Sequence, residues 1–78
     1  MRTRIYFLIM KNKFASRLKE LREEKNLSQK KLADALGLFN ADISRYERGL
    51  QIPSIETIIK FCDFFGCTSD YLIGIKDD

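Results

Sequence analysis

Residues 29–48 read QKKLADALGLFNADISRYER, two short apolar-periodic stretches separated by one glycine, Gly37. Before the glycine, Leu32, Ala33 and Leu36 recur at the spacing of one helical face, and beyond it Ile43 and Tyr46 do the same. A residue just past a helix end often needs a positive φ, which Gly37 reaches without a Cβ clash. Ala33, small and facing the hinge, lets the second helix cross closely. Ile43 supplies the apolar anchor of that second helix.

Working outward, residues 13–25 form a first helix with Phe14, Leu18 and Leu21 at i, i+4 and i+7 and charges on the other faces. Asn26 and Leu27 make the corner, and Ser28 is a good N-cap for the helix that ends at Gly37, although Lys31 stands where a capping box wants Glu. The next helix begins near Phe39 or Asn40. Asn40 is the better cap, so a start one residue late is expected, with Gly49 as the stop. Pro53 and Ser54 announce residues 54–65 as a fourth helix with Ile55, Ile58, Ile59, Cys62 and Phe65 inward. Gly66 ends it. Thr68 or Ser69 caps a last short helix running to Ile73, closed by Gly74.

Residues 1–10, MRTRIYFLIM, fit this series least. The apolar run 5–10 is far short of the ~20 residues a bilayer needs. It is also too short for a signal peptide and has no small-residue cleavage site. Its Ile, Tyr and Phe suit a strand, whose open edge would invite an antiparallel ribbon across a two-fold dimer axis. Equally weighted is the alternative that these residues lie over the helical core or continue the first helix.

Composition bounds the rest. Seventy-eight residues make one small domain, and 45% hydrophobic content with one proline and four glycines favours a packed helical fold. The net charge of +3 is modest but uneven: residues 1–25 hold eight Lys/Arg against three acids, residues 53–78 two against five. Such a layout can turn its basic side toward phosphate. There is no histidine, and Cys62 and Cys67 are half of a tetrahedral zinc site with nothing to complete it, so they read as free thiols packed as small hydrophobes. No Gly-rich phosphate loop and no Ser or Cys beside a base is present, and Glu23–Glu24 diverge on a helix surface. No enzyme, metal, cofactor or small-molecule ligand is expected. Without a secretory signal, the expected compartment is a reducing cytoplasm.

Small residue, glycine, buried aliphatic is the order of a helix-turn-helix, whose second helix lies in the DNA major groove. RLKELREEKNLSQKKLADALGL, then ISRYERG, PSIETIIKFCDFFG and SDYLIG resemble the Cro/phage-repressor type of this motif, also called the xenobiotic-response-element regulator family. The resemblance covers residues 11–74. It implies an all-α, five-helix, lambda-repressor-like domain over 11–74 with the motif proper at 29–48, preceded by an arm or strand (1–10) and followed by a tail (75–78).

Carried over by position, the resemblance implies that Gln29 contacts a phosphate and that Asn40, Ala41, Ser44 and Arg45 face base edges. Asn40 suits adenine N6/N7, Arg45 guanine O6/N7, and Ala41 a thymine methyl. Arg48 and the loop after it meet the DNA backbone. Phe39 replaces the usual small polar cap, and either reaches a sugar or thymine methyl or packs. Asp42 is a second departure: it accepts from cytosine N4, repels phosphate, or simply complements the helix macrodipole. Arg22 and Glu47 match a scaffold salt bridge, alongside Ala33, Gly37 and Ile43. The implied function is a sequence-specific regulator of transcription, a repressor that binds a two-fold-symmetric operator on double-stranded DNA as a homodimer. Exposed apolar surface on the last helix around residues 71–75, or the strand at residues 5–10, would build that dimer. The rival reading is a protein-interaction module, such as an antitoxin or adaptor, on the same fold.

Overall fold

The computed structural model describes residues 2–77, with side chains from Ile5 onward. Met1 of the expected arm and Asp78 of the expected tail lie outside the described residues. Five helices follow one another: α1 (Arg2–Glu24), α2 (Gln29–Leu36), α3 (Asn40–Glu47), α4 (Ile55–Phe65) and α5 (Ser69–Ile73). There is no strand among the described residues. The architecture is all-α and lambda-repressor-like.

Local chemistry explains the boundaries. The hydroxyl oxygens of Ser28, Ser54 and Thr68 accept from the backbone N–H groups of Lys31, Thr57 and Tyr71, capping α2, α4 and α5. At the end of α2, Gly37 adopts φ 69°, and the N–H of Leu38 returns to the carbonyl of Ala33 at 2.8 Å. That 6→1 bond is a Schellman closure. A Cβ at Gly37 would meet nothing within 4 Å, so backbone conformation alone calls for glycine there. Gly74 is different: at φ 89° its missing Cβ would lie 2.7 Å from the Cβ of Lys13, so the close approach of the two backbones also requires it. Asn26 closes α1 with φ 55°.

One core joins all five helices: Phe14 and Leu18 of α1, Leu32 and Ala33 of α2, Ile43 and Tyr46 of α3, Phe61 of α4 and Leu72 of α5. At its centre Phe14, Tyr46 and Phe61 form a triangle with ring centroids 6.0–6.2 Å apart; Tyr46 meets both partners edge-on. Arg17 fastens the other end. It donates to the carbonyls of Tyr71 and Lys76 and to Asp77, and its guanidinium lies 4.4 Å over the Tyr71 ring.

Two expectations are corrected. The strand option for residues 1–10 is not realised, because residues 2–10 are the first turns of α1. A helix satisfies its own N–H and C=O groups, whereas a lone strand has no ladder partner here. Large side chains at residues 5–9 consequently stand exposed around that helix. On α4, Phe61 is fully buried while Ile55 and Ile59 are 75% and 53% exposed. The inward stripe is therefore Ile58, Phe61, Cys62 and Phe65, rotated away from the expected one. On α5, Leu72 belongs to the core and Tyr71 is half-covered by Arg17, leaving Ile75, beyond the helix, as the large exposed side chain there.

Phe61→Ala should lower stability by about 3–5 kcal/mol, whereas Ile59→Ala should change it by less than about 0.5 kcal/mol. Urea denaturation measures both; equal losses would mean that α4 presents the other face to the core.

Candidate nucleic-acid interface

Only eight residues long, α3 is divided cleanly by its own periodicity. Ile43 and Tyr46 point into the core. Around the opposite side lie Asn40, Ala41 and Arg48, all exposed, with Ser44 and Arg45 half-buried between them. Thus the structure brings five of the residues expected to face DNA onto one side of one helix.

What holds α3 at this angle is partly polar. The Arg22 fork grips the Glu47 carboxylate with both arms, Nε to Oε2 at 2.6 Å and Nη2 to Oε1 at 2.9 Å. Its remaining arm donates to the Leu27 carbonyl at 2.7 Å. The side chains are only 12% and 3% exposed. The hydrogen bond to Glu47 holds the guanidinium still more firmly protonated than usual. A third donor, Nε2 of Gln29, reaches Oε1 of Glu47 at 3.1 Å. The sequence reading gave Gln29 a phosphate; the structure gives its amide an internal partner at the junction of α1, α2 and α3.

Phe39 occupies the N-cap position and Asn40 the first helical turn, so the expected cap by Asn40 is not formed. The reason lies in the backbone: Phe39 is extended, and its carbonyl accepts from the N–H groups of Asp42 and Ile43, starting the helix one residue earlier. Its ring makes no cap hydrogen bond and is 77% exposed at the leading edge of the outer face. Asp42 is in the first turn, where a carboxylate suits the helix dipole, and it also binds Nη2 of Arg45. Gln51, from the loop after α3, accepts from Nε of Arg45 at 3.3 Å. Sequence reasoning assigned no role to Gln51. The Asp42–Arg45 spacing of three was a visible signal for that pair, but nothing local placed Gln51 beside it.

The cysteines lie away from this face, at the end of α4. Burial, and then the neighbouring Cys67, pushes the Cys62 thiol up to about 11; burial raises Cys67 as well. No group of three His, Cys, Asp or Glu side chains among the described residues converges as a metal site would. Nor is any described helix long and apolar enough to cross a membrane.

Residues 18–72 match the protein family described as Helix-turn-helix. The chain is 37% identical over 62 residues to the "HTH-type transcriptional regulator ImmR" of Bacillus subtilis (strain 168), covering 80% of this chain and 48% of that protein. It is 41% identical over 58 residues to the "HTH-type transcriptional regulator AnsR" of the same organism, covering 74% and 50%. It is 36% identical over 53 residues to the "Cryptic phage CTXphi transcriptional repressor RstR" of Vibrio cholerae, covering 68% and 48%. The chain spans about half the length of these curated relatives.

Glu47→Ala should destabilise the domain by about 3 kcal/mol, because it strands the Arg22 guanidinium in a nearly closed site; thermal melting measures this, and a loss below about 1 kcal/mol would show that water replaces the carboxylate freely. For Cys62, the folded state holds the thiol proton more tightly than the unfolded chain, whose cysteines titrate near about 8.5. Stability from the neutral thiol is therefore whole below about pH 8.5 and is lost as the pH climbs toward about 11. At pH 8 iodoacetamide should label Cys62 far more slowly in the folded than in the urea-unfolded protein. Equal rates would contradict that environment.

Proposed function

The chain belongs to the helix-turn-helix family, of the Cro/repressor type, and on that footing we propose that it binds double-stranded DNA in a sequence-specific way and regulates transcription, as a repressor acting through a homodimer on a two-fold-symmetric operator. The observation that carries this reading is the outer side of α3. Asn40, Ala41, Ser44, Arg45 and Arg48 share it, opposite the buried Ile43 and Tyr46. In this reading Asn40 pairs with adenine N6/N7, Arg45 with guanine O6/N7, and Ala41 touches a thymine methyl. Ser44 bonds a base edge, Arg48 the phosphate backbone, and Phe39 packs on a sugar or methyl at the edge of the groove. Gln29 stands at the start of α2, where unpaired helical N–H groups favour phosphate. Its bond to Glu47 engages the amide nitrogen and leaves the side-chain oxygen for a water-bridged contact.

Dimerisation follows from size. A reading helix of eight residues spans few base pairs, so specificity calls for two half-sites about one helical turn apart. Ile75 after α5 and the large side chains of residues 5–9 are exposed and remain the candidate dimer surfaces; Leu50, Ile55 and Ile59, on the loop after α3 and on α4, are exposed as well. One relative, RstR, is named a transcriptional repressor and another, BcrR of Enterococcus faecalis, a transcriptional activator, so repression in this proposal rests on the Cro/repressor resemblance of the motif and not on those names. A second reading, a protein-interaction module such as an antitoxin or adaptor, is favoured by one observation: the exposed large side chains of residues 5–9 on α1.

Selection of duplexes from a random DNA library, then titration of the winner at two salt concentrations, tests the proposal. A two-fold-symmetric consensus with affinity falling steeply as salt rises is the expected result. Arg45→Ala should keep the fold and lose about 1–3 kcal/mol at one base pair of each half-site. Failure to enrich any sequence, with weak binding even at low salt, would favour the interaction-module reading instead.

A further inference from the structure

We propose that Asp42 and Gln51 form a clamp that positions Arg45 and so sets which base it reads; the inference rests on the DNA-reading role of α3 proposed above. Arg45 carries a long side chain with many rotamers, and a free arginine loses that freedom when it engages a base. Here two protein groups restrict it beforehand. Asp42, one turn earlier on α3, binds Nη2, and the side-chain oxygen of Gln51 accepts from Nε at 3.3 Å. The two nitrogens that the protein holds, Nε and Nη2, lie along one edge of the planar guanidinium. The other edge, from Nη1 and the second N–H of Nη2, keeps two parallel donors, the pattern that O6 and N7 of guanine accept.

The backbone brings the clamp together. At the end of α3 the N–H of Leu50 returns to the carbonyl of Arg45 at 3.0 Å, and that of Gly49 to Tyr46 at 3.1 Å. This closure folds the loop back so that Gln51 lies beside a side chain six positions earlier. Asp42 sits on the half-buried flank of the same helix. The pair is only partly sheltered, with side chains 43% and 26% exposed, so it adds little to stability and its consequence is chiefly conformational. Asp42 therefore acts through Arg45 and touches no base itself.

The test uses the duplex selected by the intact protein together with its set of single base-pair substitutions. Binding is measured for the intact chain, Arg45→Ala, Asp42→Ala, Gln51→Ala and the Arg45→Ala/Asp42→Ala double variant. Arg45→Ala identifies the guanine that is read. Asp42→Ala should reduce the preference for that same guanine by about tenfold, and Gln51→Ala by a few-fold, with affinity for unrelated duplexes changed far less. In the Arg45→Ala background, Asp42→Ala should alter no base preference further. The proposal is overturned if Asp42→Ala shifts preference at a different base pair. It is equally overturned if that variant raises affinity for every duplex with the guanine preference intact, or if the two effects add. Should Asp42→Ala fail to fold by circular dichroism, Gln51→Ala, on an exposed loop, decides alone through the same guanine preference. If Arg45→Ala changes no base preference at all, the reading of α3 falls and the clamp falls with it. If only Asp42 and Gln51 prove silent, the reading of α3 stands and the clamp alone is wrong.

Discussion

An eight-residue helix does not sustain itself in water, because nucleation fixes several dihedrals before hydrogen bonds repay them. The orientation of α3 is therefore set from outside, by Ile43, Tyr46 and Glu47. Each is held by a different neighbour. Tyr46 stands in the aromatic triangle with Phe14 and Phe61, and Glu47 is gripped by Arg22 and Gln29. Every other helix of the domain thus converges on α3 or on something that supports it. The ion pair contributes mainly angle. A buried pair is a poor source of net stability, since desolvation offsets the attraction, but a bidentate fork tolerates one geometry.

The outer side follows from the inner one. Successive residues advance about 100° around a helix, so shifting the anchors by one position would turn a different set of side chains outward. With Ile43 and Tyr46 inside, Ala41, Ser44, Arg45 and Arg48 have nowhere to lie but the opposite surface. Asn40 and Phe39 extend that surface at the N-terminal end, where the first N–H groups of the helix also point. The role proposed for these residues is a consequence of how the core packs, and the core could not repack without changing it.

Much of this was legible in the sequence because it is governed locally. Ser28, Ser54 and Thr68 before apolar runs, and Gly37, Gly49, Gly66 and Gly74 after them, mark boundaries through bonds that reach only a few residues. The apolar spacing of Leu32, Ala33, Ile43 and Tyr46 then decides which faces meet. Legibility fails where the answer depends on partners distant in the chain. Helix α4 carries apolar side chains over most of its circumference, so its own pattern could not say that Phe61 rather than Ile59 enters the core; Phe14 and Tyr46 decide that. The internal bond of Gln29 depends on Glu47, eighteen positions away. The place of Gln51 depends on the turn at Gly49. Residues 5–9 have strand-like composition, but a strand gains nothing without a neighbour, and continuity with α1 prevails.

Charge then bears on how the proposed reading would work. Sequence-independent affinity for DNA grows with the number of phosphates a protein neutralises. This chain carries a net charge of +3, and of the two arginines on the outer side of α3 one is already paired with Asp42. In the proposed reading the outer side of α3 therefore offers little unpaired charge to phosphate, and discrimination would come from base edges and from two such faces acting together. That division is useful, because the relevant quantity in a genome is the ratio of specific to non-specific binding rather than affinity alone. A carboxylate on a DNA-reading helix therefore need not oppose binding. In the proposed reading Asp42 fixes the arginine that distinguishes one sequence while leaving affinity for unrelated sequences little changed, and so raises that ratio.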